Sequence, residues 1–359
     1  MPLKDTYNWD LIERKMSDLP SFMIDYLREL RLNRSSYHTI YNYCTDYHTF
    51  LNWILSEGLH PGPKNSIPLL FFEQMDLEVA KGYQAYLQLK FAETSVARKI
   101  ASLKSLFLYL QQVAEDEHQQ PLLKRNVFAK LKLKVEEESV DSKALRMASS
   151  ILIKLDEEHN EMRDFLDFIY DGYLDHIKGN KRAINYHLKN RERDRAIVSL
   201  ALATGLRAME LASLEVDDLN LYNDYVEVLG KGNRKDALPF GPVAKEHLLA
   251  YLDVRIQRYG IDKKFKPLFV SSSSRTGKPE AFRKISIQKM LEKYAVAFGK
   301  PSLTVHKLRH SFGTRFHIEN GSDPVLTQRA MRHKNIQTTT IYTHVDNQKL
   351  KKAFRRANS

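Results

Sequence analysis

Apolar residues recurring at helical spacing constrain this chain most. Ile40, Cys44, Tyr47, Leu51 and Ile54 stand at i, i+4, i+7, i+11 and i+14, one side of an amphipathic helix that Ser35 or Ser36 is placed to cap. A second helix is expected to start near Thr94, with Ile100, Leu103, Leu106, Phe107 and Leu110 on its buried side. Strand signals are few. Tyr225–Leu229 alternates, then Gly230-Lys231-Gly232-Asn233 leads into a second short strand ending at Pro239, a hairpin pattern. Pro267–Ser271 is a candidate third strand, and N-R-E-R-D-R-A-I is read as opening a helix that ends at Thr204-Gly205. The fold class that follows is mostly α with a small β-sheet (α+β).

A length of 359 residues suggests two domains, each with its own core. Composition shifts between Ala114 and Lys143, where a basic alternating stretch follows acidic A-E-D-E-H, and this reads as a linker. The expected division is 1–125, a linker at 126–142, and 143–359 with a tail at 346–359. In extended form Lys130, Lys132 and Lys134 project to one side of the linker, as a strap along a duplex backbone would; an edge strand is the competing view.

Charge narrows the partner class. A formal net charge of +12 favours a polyanion, because counterion release drives lysine and arginine onto phosphates, although charge alone does not separate DNA from RNA or an anionic membrane. On the second helix Arg98, Ser102 and Ser105 fall roughly opposite the buried stripe and are residue types that contact phosphates and base edges. Between Lys178 and Arg195 seven Lys or Arg face two acids. The single cysteine, Cys44, rules out an intrachain disulfide framework or cysteine metal cluster and reads as core. No signal peptide is recognised and no apolar run approaches about 20 residues, so a cytoplasmic, nucleoid-associated protein with no membrane partner is expected.

Three islands carry the chemistry. A-T-G-L-R-A-M-E-L holds Arg207 and Glu210; V-L-G-K-G-N-R-K holds Lys231; and Val305–Val345 holds His306, Arg309, His333 and Tyr342. Two arginines, a lysine, two histidines and a tyrosine are the groups needed to break a phosphodiester with a phenolic nucleophile. The anion formed when a nucleophile adds to phosphorus requires preorganised cationic donors, and arginine presents a permanent planar fork. A zinc reading of His306 and His310 as H-x-x-x-H fails at Lys307, where the metalloprotease motif needs glutamate. No metal or cofactor is expected.

These islands resemble the tyrosine recombinase (phage integrase) family, whose pattern is Arg, Lys, His-x-x-Arg, His or Trp, and Tyr. All six positions are filled in order, and the spacing resembles the Xer-type branch; the length, the basic pre-catalytic insertion and K-N-R-E-R-D further resemble its single-protein XerS type. The resemblance implies a helical, SAM-like core-binding domain followed by a catalytic domain, with T-S-V-A-R-K-I-A-S-L-K-S-L-F-L-Y-L in the DNA-contacting helix. It assigns Arg207 and Arg309 to the phosphate, Tyr342 to the 3′-phosphotyrosyl link, Lys231 to the departing 5′-oxygen, and His306 and His333 to phosphate or proton relay, with Glu210 in support. His310 and His344 read as structural. Met331-Arg332 stands where the family usually has Leu-Gly. The partners implied are double-stranded DNA with an inverted-repeat site, a tetramer of the chain exchanging strands through a Holliday junction, and an accessory DNA translocase. Chromosome dimer resolution is the expected role. Other readings are a mobile-element integrase, a type IB topoisomerase, and a non-catalytic DNA-binding protein.

An unbroken helix from His333 to Tyr342 would separate them by about 13 Å along its axis. They converge only if the helix breaks, and Lys334-Asn335 with Thr338-Thr339-Thr340 supplies poor helix formers there.

Overall fold

The computed structural model describes residues 8–132, 150–152, 160–229, 235–272 and 276–332. They form two packing units, one within Met1–Glu137 and the other within Glu138–Ser359.

The first unit is helical: α1 (Trp9–Met16), α2 (Ser21–Leu32), α3 (Tyr37–Ser56), α4 (Leu69–Gln74), α5 (Leu77–Lys90) and α6 (Glu93–Gln112). The stripe from Ile40 to Ile54 lies on α3 and is fully buried, Cys44 included. Ser36 caps that helix, its Oγ accepting the Thr39 N–H at 3.1 Å. Helix α6 packs against α2, α3, α5 and a 3₁₀ turn at Val127–Lys130.

With neighbours on so many sides, α6 keeps a narrow solvent line of Thr94, Arg98, Ala101 and Leu108, with Ser105 half-buried beside it. Ser102 is therefore not on the exposed side as expected. It sits about 80° around the helix from Thr94, is fully buried, and donates its hydroxyl to the Lys99 carbonyl at 2.8 Å. Ser105 shares a 2.5 Å hydrogen bond with the Tyr26 hydroxyl. Arg98 stays half-exposed while pairing with the buried Asp46, which also takes Lys99 Nζ at 3.0 Å. Two cations around one buried carboxylate satisfy a charge that would be costly alone.

The stretch expected to open a linker at 126 packs instead onto this bundle. Val127, Phe128 and Leu131 are buried in its core, and the Phe128 ring lies 4.9 Å from that of Phe107. The alternation of the sequence is real, but its apolar side is used by the helices. Lys130 and Lys132 remain exposed; Lys134 lies outside the described residues.

The second unit begins with α7 (Glu161–Asp167), a π-helical turn at Phe168–Gly172 and α8 (Tyr173–His176). Next come α9 (Lys181–Thr204), α10 (Ala208–Ser213), β1 (Leu219–Asn220), β2 (Tyr225–Leu229), β3 (Lys235–Pro239) and α11 (Pro242–Tyr259). The described part closes with β4 (Val270–Ser272), β5 (Pro279–Ala281), α12 (Lys284–Ala297), α13 (Val305–Glu319) and α14 (Pro324–Met331). The expected hairpin is β2–β3, antiparallel from Tyr225↔Pro239 to Leu229↔Lys235. Its third strand is β1, not Pro267–Ser271. That segment contributes β4, which pairs with β5 in a separate two-stranded sheet. The fold is thus mostly helical with small antiparallel sheets, as the sequence led one to expect.

Helix α9 starts nine residues before N-R-E-R-D, at Lys181, where Asn180 Oδ1 accepts the Ala183 N–H at 3.0 Å. No breaker interrupts 181–190, so the helix runs back to the cap. Three arginines of its basic window serve the fold: Arg191 pairs with Asp171 at 2.8 Å and Arg195 with Asp167 at 3.2 Å. Arg193 is buried against Asp194 at 2.6 Å and donates to the Val270 carbonyl at 2.9 Å, fixing β4 to α9. Lys178, Lys181, Arg182 and Lys189 stay exposed. No helix among the described residues is long and apolar enough to cross a membrane.

Candidate active site

Helix α9 ends at Gly205, whose φ of +64° is the left-handed conformation glycine adopts without strain. Its N–H closes on the Ala201 carbonyl at 2.9 Å, and the chain turns into α10. Space, too, demands glycine here, since a Cβ on Gly205 would lie 2.5 Å from Phe312 Cδ1 on α13. Gly205→Ala is expected to cost about 2–4 kcal/mol of stability from left-handed strain plus overpacking, read by urea unfolding. Relief on co-substituting Phe312→Leu would trace part of that loss to the clash.

Arg207 follows as the N-cap of α10, its side chain 49% exposed. Glu210 holds it twice, accepting the Arg207 backbone N–H at 2.7 Å and Nη1 at 3.0 Å. Glu210 also accepts Arg332 Nη2 at 2.8 Å. Burial alone would raise the Glu210 pKa, but the Arg207 backbone hydrogen bond and the Arg332 charge outweigh it and hold the carboxyl below its ordinary range.

Helix α13, capped by Thr304, buries Val305, Leu308 and Phe312 and carries His306 and Arg309. Arg309 is 2% exposed. Its Nη1 donates to the Gly205 carbonyl, two residues before Arg207, and its Nη2 to the Met331 carbonyl, two residues before His333. One guanidinium therefore joins three of the stretches expected to carry the site. His306 is exposed, and its Nε2 lies 3.0 Å from that of His310. Partial desolvation, then the charges of Arg309, Lys307 and Arg207, push the His306 pKa below its ordinary value. His306 lies one turn before Arg309 on α13, and the Arg309 hydrogen bond to the Gly205 carbonyl sets that helix against the turn that carries Arg207.

Arg207, Glu210, His306 and Arg309 are thus brought together. Lys231, which falls between β2 and β3 in the sequence, and His333 and Tyr342 lie outside the described residues. The α6 residues and Lys130 and Lys132 belong to the first unit. Among the described residues no three His, Cys, Asp or Glu side chains gather as a metal site.

Residues 179–349 match the phage integrase family. Tyrosine recombinase XerS of Lactococcus lactis subsp. lactis (strain IL1403) is 31% identical over 355 residues, covering 96% of this chain and 97% of that protein. The chain belongs to the tyrosine recombinases. A second XerS, from Streptococcus sanguinis (strain SK36), is 30% identical with the same coverage of both chains. Among solved structures, the post-cleavage complex of the XerH site-specific recombinase with palindromic difH substrate superposes with a TM-score of 0.60 at 21% identity, covering 90% of this chain and 80% of that one. A lambda integrase dimer bound to a COC′ core site gives 0.56 at 16% identity, covering 90% and 94%. At those identities the structures speak to the fold, an N-terminal helical unit followed by a recombinase catalytic unit.

Two features of this tyrosine recombinase escaped the sequence reading. His310, read as structural, meets the His306 imidazole directly. Arg332, visible only as a departure from the usual Leu-Gly, is the second cation on Glu210.

Proposed function

We propose that the chain cuts and rejoins double-stranded DNA at a specific inverted-repeat site through a 3′-phosphotyrosyl link at Tyr342. The observation that carries this reading is the Arg309 guanidinium bound to both the Gly205 and Met331 carbonyls, which draws Arg207, His306 and the chain leading to His333 around one point. Arg207 and Arg309 grip the non-bridging oxygens of one phosphate, where preorganised charge is worth most. The Tyr342 oxygen attacks phosphorus, its proton passing to His306 or His333. The bond to the 5′-oxygen breaks; that oxygen keeps the bonding electron pair and accepts a proton from Lys231, a proton transfer typically worth about 10²–10⁴ in rate. The new ester keeps the energy of the old one, so a DNA hydroxyl reverses the step without ATP, metal or cofactor.

The XerH and lambda integrase neighbours are described in complex with their DNA sites, which supports DNA as the partner here. In this reading the exposed Arg98 and the half-buried Ser105 of α6, with Lys130, Lys132 and Lys134, contact the duplex from the first domain, and 143–359 acts as the catalytic domain. Four copies synapse two sites and exchange strands in pairs through a Holliday junction, with the 346–359 tail linking neighbours and an accessory DNA translocase aligning the sites. Likeness to XerS proteins along nearly the whole chain favours chromosome dimer resolution, in a cytoplasmic, nucleoid-associated setting, over integration of a mobile element.

The test is a supercoiled plasmid carrying two copies of the inverted repeat beside the gene, incubated in EDTA. Recombinant circles are expected, with undiminished yield. Strong inhibition by EDTA would sink the metal-free mechanism, and rapid relaxation of a plasmid without the repeat would point to a type IB topoisomerase.

A further inference from the structure

Arg332 ends α14 with φ +51° and ψ +43°, the left-handed conformation that an L side chain enters only with strain. Glycine would occupy it freely. A long cation persisting there needs a compensating interaction, and one is visible. The Arg332 side chain is 13% exposed and its Nη2 lies 2.8 Å from Glu210 Oε2. Its Nη1 lies 3.7 Å from Asp236 Oδ2 on β3, the strand that follows Lys231 in the hairpin. Glu210 in turn holds Arg207 through both backbone and guanidinium. Arg332, the residue preceding His333, thus stands where α10 and β3 meet.

We propose that Arg332 is a positioning residue of the active site: it shares Glu210 with Arg207, sets where the Arg207 guanidinium points, and ties the hairpin to the chain entering His333. The inference rests on the recombinase reading above. Glu210 has two oxygens and three donors. With Arg332 in place, Oε2 is divided between Arg332 and the Arg207 backbone, and Oε1 alone takes the Arg207 side chain. Without Arg332, Arg207 is the carboxylate's remaining partner among the described residues. The half-exposed guanidinium is then drawn onto Glu210 and away from the phosphate. Loss of the Arg332 charge also removes one of the interactions that hold Glu210 ionised.

The test compares Arg332→Gly and Arg332→Lys with the wild type in single-turnover cleavage of a nicked duplex bearing the site that the wild type cleaves. Arg332→Gly relieves the backbone strain, so unfolding by strain is not a confounder, and non-covalent DNA binding reports that the protein is folded. Cleavage by the glycine variant is expected to fall by about 10–100-fold, the size of effect a displaced catalytic group produces, with DNA affinity unchanged. Its acid limb should move to higher pH, because Glu210 then protonates more readily, and Arg332→Lys should recover part of the rate. A glycine variant as fast as wild type, or one slowed with an unshifted pH profile and no recovery by lysine, overturns the proposal while leaving the recombinase reading standing. Absence of an adduct with the wild type on any DNA would instead overturn that reading.

Discussion

Tyr342→Phe is expected to leave no covalent protein–DNA adduct while DNA affinity stays at the wild-type level. The substitution removes one oxygen and keeps the ring. In the proposed mechanism that oxygen forms the bond to phosphorus, and no other side chain is assigned to replace it. Binding, by contrast, draws on many cations spread over a chain of net charge +12, and the loss of a neutral hydroxyl hardly alters it. The measurement is a denaturing gel of protein incubated with labelled, nicked duplex, beside a native mobility-shift assay. An adduct that persists in the phenylalanine variant means another residue attacks. Loss of binding together with the adduct would mean that the tyrosine is structural.

Arg309→Lys should slow cleavage by about 10²–10³, the effect of removing a donor from a preorganised anion site. The charge is kept, so a large loss would speak for geometry. Arginine offers five N–H donors in a fixed plane, and here two nitrogens reach two separate carbonyls, Gly205 and Met331. A lysine ammonium is a single point and cannot span both while also meeting a phosphate. Because Arg309 is 2% exposed, a lost hydrogen bond leaves a buried carbonyl unsatisfied, which costs about 1–3 kcal/mol. Stability should therefore fall along with activity. The comparison of single-turnover rate with urea midpoint separates the two, since a folded, DNA-binding variant with a rate near wild type would remove Arg309 from the phosphate.

The helical frame was legible because burial imposes a 3.6-residue period, which Ile40 through Ile54 display without interruption. The α2, α3 and α5 contacts around α6 were not, and so Ser102 was assigned to solvent when it lies inside. The same limit applies at Val127, Phe128 and Leu131. Alternation announces an apolar side but not which surface will take it. Strand partners are equally non-local: the segment at Pro267–Ser271 does make a strand, but its mate is Pro279–Ala281 and not the hairpin. At the site, the order and spacing of Arg207, His306 and Arg309 pointed to one cluster, and the structure brings them together. Arg332 stayed illegible because its role depends on a carboxylate more than a hundred positions upstream. A departure from glycine registers in the sequence; the Glu210 it meets does not.

The most direct test is to trap the wild-type protein on a nicked duplex that cannot religate, digest the adduct with protease and nuclease, and locate the nucleotide by mass spectrometry. A 3′-phosphonucleotide on the peptide containing Tyr342, attached at that residue, is the expected result. Attachment at any other side chain, or through a 5′-phosphate, would contradict the mechanism at its centre.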